Sequence, residues 1–250
     1  MTPIWKVKSL KMGTLVVDKS SLTSGAGYGQ LVEIPMWSTA VYNDRHKIII
    51  DTGIQSKEWV NKTLGTCYQE ADEEMKAAME KGLGWKPEDV DIVINTHLHY
   101  DHCGNNYLFK NTTFYVQQAE WECAFNSIIN QQQFYIEELY DSRAVNYFSW
   151  RFTNGEEEIL PGIKVFSTPG HSRGHQSVLV NTEKGVLCVS GDVCNLVENI
   201  NGNLPPNILI SADQIFDSYK QIRRRARYIL PGHEPGIGKF QTSDFPEIKI

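Results

Sequence analysis

Four side chains able to bind a transition metal, His97, His99, Asp101 and His102, fall within six residues of the run NTHLHYDHCG. Neutral imidazole suits zinc, copper, iron and nickel, while a carboxylate adds charge and can bridge two ions. The run follows a short strand expected at Val90–Asn95 (VDIVIN). In extended backbone, residues two apart point the same way, so His97 and His99 can grip one ion. If the chain then turns into a helix, Asp101 and His102 swing toward a second, and Gly104 permits the tight packing such a turn needs. A surface histidine cluster can also hold nothing. The remaining inventory argues against that here. The chain has seven histidines, and three more metal-binding side chains sit just past expected strands. His171 lies in STPGHSRGH after Ile163–Ser167, Asp192 in SGDV after Val186–Ser190, and His233 in LPGHEP after Arg227–Leu230. Loops on one rim of an α/β protein are where site residues collect. Five histidines and two aspartates would then offer seven ligands, enough for two ions with a position left open for water.

The elements that must position them read as follows. Thr14–Asp18, Trp37–Tyr42 and Lys47–Asp51 are expected strands, the last a β-branched run ended by Thr52-Gly53. Ala71, Met75, Ala78, Met79 and Gly82 share one helical face, and Gly84 and Pro87 stop that helix. Thr113–Val116 and Ser177–Asn181 read as strands, Ala119–Ile129 and Gln132–Asp141 as helices. Ser211 and Gln214 form a capping box opening a helix with the stripe Ile215, Tyr219, Ile222 and Ala226. Strands come first in each half and helices follow, which suits two packed sheets with helices outside. No repeat, low-complexity stretch or linker interrupts residues 1–250, so one unit is expected.

Composition sets the bounds. The 250 residues are 41% hydrophobic and 22% charged, as in an ordinary globular protein, which excludes disordered and collagen-like chains. No apolar run approaches a membrane span, and the start lacks the apolar core of a secretory signal, so a cytoplasmic protein with no membrane partner is expected. A net charge of −6 disfavours nucleic acid. The one basic cluster, Arg223, Arg224, Arg225 and Arg227, is expected to be a solvated helix end. Five scattered cysteines without a C-x-x-C pair suggest reduced thiols. Cys103 and Cys194, though beside ligands, read as small packing residues.

The set H-x-H-x-D-H, TPGHSRGHQS, SGDV and LPGHEP, with LVVDKSSL and IIIDTG before it, resembles the metallo-β-lactamase superfamily, and within it the N-acyl-homoserine lactonase family. The likeness spans nearly the whole chain. It implies an α/β (α+β) fold, a four-layer αβ/βα sandwich, with a dinuclear site between the sheets. Carried over residue by residue, His97, His99 and His171 would hold one metal, and Asp101, His102 and His233 the other. Asp192 would bridge them. The ions would be zinc, with iron, manganese or cobalt as alternatives. The resemblance also turns Asp51 from a strand-end turn residue toward a partner of a ligand histidine. It gives His175 no ligand role, leaving it a structural or supporting histidine.

Two features depart from the lactonases. They carry a tyrosine three residues after the bridging aspartate, where this chain has Asn195. An amide can also donate to an oxyanion, so Asn195 is either a substitute donor or pocket wall. The segment after IIIDTG looks shorter, without the phenylalanine-bearing insertion that lines the acyl pocket in some relatives. The resemblance implies a quorum-quenching hydrolase, monomeric or homodimeric, that opens an N-acyl-homoserine lactone or related lactone. A hydroxide shared by both cations would attack the carbonyl, with Asp101 placed to relay a proton. The alternatives on the same site are a hydroxyacylglutathione-type thioesterase and a phosphodiesterase. A flavo-diiron protein would need Glu in place of His99 and a flavin domain. A ligand-free scaffold member would usually have lost some of the seven residues.

Overall fold

The computed structural model describes residues 2–141, 148–239 and 248–250. Seven strands form the first sheet: β1 (Lys6–Asp18), β2 (Leu31–Tyr42), β3 (Lys47–Ile50), β4 (Thr66–Tyr68), β5 (Ile92–Ile94), β6 (Thr113–Gln117) and β7 (Ser149–Thr153). Their order is β4-β1-β2-β3-β5-β6-β7, antiparallel through β3 and parallel from β3 to β7. The second sheet holds β8 (Glu157–Leu160), β9 (Ile163–Ser167), β10 (Gln176–Thr182), β11 (Gly185–Gly191) and β12 (Tyr228–Pro231), in the order β12-β11-β10-β9-β8. The helices are α1 (Lys19–Leu22), α2 (Lys57–Thr63), α3 (Met75–Leu83), α4 (Tyr100–Cys103), α5 (Gln118–Phe125), α6 (Val197–Gly202) and α7 (Ala212–Arg225).

Side-chain alternation explains the layering. Successive residues of a strand face opposite sides of its sheet. Ile48, Ile50, Ile92 and Ile94 of the first sheet therefore meet Val178, Val180, Leu187 and Val189 of the second in one core between the sheets. The residues between them face outward. Ile49 and Val93 pack with Met75 and Met79 of α3 and Cys123 of α5. Leu179 and Cys188 pack with Ile215, Tyr219 and Ile222 of α7. Helices outside, two sheets inside, is the expected four-layer sandwich.

Several elements differ from expectation. β1 starts at Lys6 and runs through a register shift between Lys11 and Thr14, which the Gly13 interruption had hidden. The helix expected from Ala71 is a 3₁₀ turn at Ala71–Glu73 followed by α3. α5 stops at Phe125 instead of Ile129, which is exposed and has nothing to pack on. No helix spans Gln132–Asp141; two 3₁₀ turns, Gln132–Phe134 and Glu137–Leu139, flank Tyr135, whose backbone pairs with that of His99. A tertiary pairing overrides the local helical pattern there. α2, capped by Ser56 on Trp59 N, was not foreseen.

The arginine cluster closes α7 as expected. Arg223 bonds Ile200 O and Asn203, and Arg225 pairs with Glu156. All five cysteines are free and buried. Among the described residues no helix is long and apolar enough to cross a membrane.

Candidate metal centre

Every candidate ligand hangs from a strand end. His97 and His99 follow β5, Asp101 and His102 lie in α4, His171 follows β9, Asp192 follows β11, and His233 follows β12. β5 and β11 are interior strands of their sheets, so their loops emerge side by side at the rim where the sheets meet. The turn into α4 is tight: a Cβ at Gly104 would lie 2.5 Å from Gly53 O and Gln55 N. Only glycine fits that approach, as the sequence suggested. All seven residues are buried, none more than 8% exposed.

They form overlapping groups. His97, His99 and His171 converge, as do His97, His102 and Asp192, and Asp101, His102 and His233. His171 Nε2 is 3.2 Å from His97 Nε2 and 3.1 Å from His99 Nδ1. Asp192 stands between the groups: Oδ1 lies 3.2 Å from His102 Nε2, and Oδ2 lies 3.2 Å from His233 Nε2 and 3.8 Å from His171 Nε2. Asp101 Oδ2 is 3.7 Å from His102 Nε2 and 3.8 Å from His233 Nε2.

The hydrogen bonds behind the rings show why these atoms suit a cation. His171 Nδ1 donates to Ile208 O at 2.8 Å, which leaves a bare lone pair on Nε2. Thr96 Oγ1 gives its proton to Asp51 Oδ2 at 2.7 Å, so His97 Nδ1, 3.1 Å away, must be the donor to Thr96. His97 Nε2 is then bare as well. Two lone pairs 3.2 Å apart repel unless a positive charge lies between them. Ring nitrogens bound tetrahedrally at 2.0–2.1 Å would be separated by about 3.3 Å, close to what is seen. His99 Nε2 is buried with no hydrogen-bond partner, and His102 Nε2 and Asp192 Oδ1, 3.2 Å apart, make no well-aligned bond to each other or to any other group. Unpaired buried polar atoms are costly, and so many in one place indicate a missing partner. The arrangement is suited to two metal ions.

Electrostatics divides the histidines. Burial drives His97, His99 and His171 below the ordinary imidazole range, so they stay neutral. Burial acts on His102 and His233 too, but Asp192 and Asp101 outweigh it and hold both above that range. Asp192 answers them. Burial pushes its carboxyl up, and His233 and His102 pull it well below the usual value.

The supporting residues are equally specific. Asp51 sits at φ +58°, an uncommon conformation for a non-glycine residue. Its Oδ2 accepts from His102 Nδ1 at 2.8 Å, and its Oδ1 accepts from Thr96 N at 2.7 Å. His175 does not reach the cluster as a ligand. It donates from Nδ1 to Thr168 Oγ1 and accepts the Asp192 N–H at Nε2 (3.1 Å), which steers the Asp192 backbone. His233 Nδ1 donates to Pro35 O. Cys103 and Cys194 donate to Leu98 O and Leu196 O, as packing residues do. Asn195 is buried with Oδ1 unpartnered and lines the adjoining pocket.

Sequence reasoning missed Thr96, Tyr135 and Glu120, whose residue types carry no motif. It also missed the pocket. Leu15, Val17, Leu22, Ile34, Val60 and Leu64 wall it, and Asp101, Asp192, Asn195 and His233 form its floor. Among its described lining residues there is no Lys or Arg.

Paired sheets with histidines and aspartates gathered on the shared rim define a metal-dependent hydrolase. Residues 34–233 match the metallo-β-lactamase superfamily, and the chain belongs to it. An N-acyl homoserine lactonase of Bacillus cereus is 32% identical over 209 residues, 80% of each chain. The lactonase AttM of Azorhizobium caulinodans is 29% identical over 94% of this chain and 95% of its own. A solved N-acyl homoserine lactone hydrolase, with the product N-hexanoyl-L-homoserine at its catalytic metal centre, superposes with a TM-score of 0.81 at 25% identity, covering 96% of both chains.

Proposed function

We propose that this chain is a lactonase that opens the ring of an N-acyl-homoserine lactone or related lactone, and so quenches signals of that kind. His97, His99 and His171 would hold one divalent cation, and Asp101, His102 and His233 a second. Asp192 would be shared by both, in a single unit spanning residues 1–250. Zinc suits the imidazole-rich set, with iron, manganese or cobalt as alternatives. When bound, such a pair supplies Lewis acidity and lowers the pKa of water toward about 7.

The residues supply the rest. Asp192 sets Oδ1 toward His102 and Oδ2 toward both His233 and His171, a placement that would fix the separation of the two groups. Asp101 lies on the pocket floor, where its carboxylate can take a proton from the attacking water and pass it to the departing alkoxide. Asn195 takes the place of a tyrosine donor, its amide N–H polarising the carbonyl oxygen as the oxyanion forms. Leu22, Ile34, Val60 and Leu64 exclude water and accept an acyl chain. An intracellular setting is part of the same reading, and the five free, buried cysteines support it.

One observation favours a lactone over the thioester and phosphodiester alternatives: the apolar wall without a cation beside an acidic floor. A neutral lactone with a hydrocarbon tail fits such walls. A phosphodiester or a glutathione thioester brings negative charge beyond the reacting group, for which the described apolar wall offers no Lys or Arg. Hydrolysis by metal-loaded protein should be compared across homoserine lactones, simple γ-lactones, thioesters, phosphodiesters and a β-lactam. Acyl-homoserine lactones should give the highest kcat/KM. A phosphodiester or thioester that beats every lactone would replace this assignment.

A further inference from the structure

Glu120 lies in α5, outside every motif, yet its carboxylate is fully buried with no cation beside it among the described residues. Oε1 accepts from Leu98 N at 3.0 Å and from Tyr135 OH at 2.9 Å. Oε2 accepts from Ser172 Oγ at 2.5 Å and from Gly174 N at 3.2 Å. These four donors belong to three separate segments. Leu98 lies between His97 and His99, and Ser172 and Gly174 follow His171. Tyr135 stacks edge-on against the His99 ring, with centroids 4.6 Å apart, and its backbone pairs with that of His99. The approach is as close as backbones allow, since a Cβ on Gly174 would collide with the backbone of Ala119 and Glu120.

We propose that Glu120 is the positioning residue of the three-histidine pocket, one carboxylate that sets the spacing between the loop carrying His97 and His99 and the loop carrying His171. The inference rests on the two-cation reading above. A buried carboxylate with four donors is fully satisfied as an acceptor, and no neutral side chain can replace it. Glutamine has the same shape but one acceptor oxygen, and its NH₂ group would face two of the donors. One loop must then move away from the other. Asp101, His102 and His233 make no contact with Glu120, so the effect should be confined to one of the two ion positions.

The test is zinc binding by the full chain, read by competition with a chromophoric chelator, and the cobalt-substituted absorption spectrum. Wild-type protein should take up two ions. In Glu120→Gln the ion at His97, His99 and His171 should bind about 10–100-fold more weakly, the usual scale for losing a partner behind a ligand. The second ion should change by less than about threefold, and the cobalt bands of the first position should shift. Tyr135→Phe, which removes one donor and keeps the ring, should weaken the first ion alone, by less than Glu120→Gln does. It serves as the deciding variant should Glu120→Gln not fold. Equal weakening of both ions would reduce Glu120 to a general stabiliser and overturn the proposal. So would two unchanged affinities in the variant while wild type binds two ions. Wild-type protein that binds no ion would instead overturn the two-cation reading, and this proposal with it.

Discussion

Asp51 Oδ2 lies 2.8 Å from His102 Nδ1, and the same carboxylate holds Thr96, whose hydroxyl orients His97. One buried anion thus fixes the tautomers of histidines in both ligand groups. Burial raises its pKa while His102 opposes the rise, and the strained φ of +58° shows that the surrounding structure holds it there. Asp51→Asn keeps the shape and tolerates that backbone. It should weaken metal affinity about 10–100-fold, with His102 the more affected side. Isothermal titration of metal-free variant against wild type checks this. Affinities that match would leave Asp51 as a turn residue only.

The Asp192 carboxylate is set against His102 and His233 on one side and His171 on the other. Asp192→Asn removes one anionic oxygen and should cost more activity than alanine at any single terminal histidine. Steady-state kinetics on one lactone across the series measures this. A variant turning over near the wild-type rate would put the bridge elsewhere.

Asn195 bears on the chemistry at the carbonyl. A single oxyanion donor can be worth about 10²–10³ in kcat, and a nearby cation shrinks that share. Asn195→Ala should lower kcat more than it raises KM, and Asn195→Tyr should retain or improve lactone turnover. Kinetics unaltered in both variants would make Asn195 pocket wall.

Much of this site was legible because its chemistry rests on residue types that are scarce in the chain. Scarce histidines past strand ends point to a shared cluster, and continuous β-branched runs such as Lys47–Ile50 announce buried strands. Three things were hidden. The Gln132–Leu139 segment has a helical pattern but spends its backbone on His99, a pairing between residues distant in sequence. β7 and β8 are short, largely exposed edge strands of five and four residues, too brief to stand out, and β8 (EEIL) shows no alternation. Glu120 is one acidic residue among 30, and only its burial under four donors reveals it.

Near the pocket wall, Glu198 accepts from Lys19 and Thr23 and so ties α6 to α1, whose Ser21 and Leu22 line the pocket. Partial burial pushes Glu198 up, but Lys19 and Thr23 outweigh it and leave it below its ordinary value of 4.5. A depressed carboxylate contributes stability above its unfolded pKa and loses it as pH falls through the folded one. Glu198→Gln should therefore destabilise the protein by a few tenths of a kcal/mol (about 0.2–1) at pH 7 after solvent screening. The gap to wild type should narrow as pH falls below that value and close only below the lower, folded one. Urea melts at pH 7 and pH 4 measure it, and a gap that widens in acid would refute the assignment.

Seven buried side chains are expected to hold two cations in each chain. Elemental analysis of gently purified protein, paired with lactone turnover on the same sample, tests it most directly. The expected result is close to two transition-metal ions per chain, with His97→Ala and His171→Ala emptying mainly one position and activity falling with it. Full lactone turnover by protein holding a single ion, or none, would contradict the account.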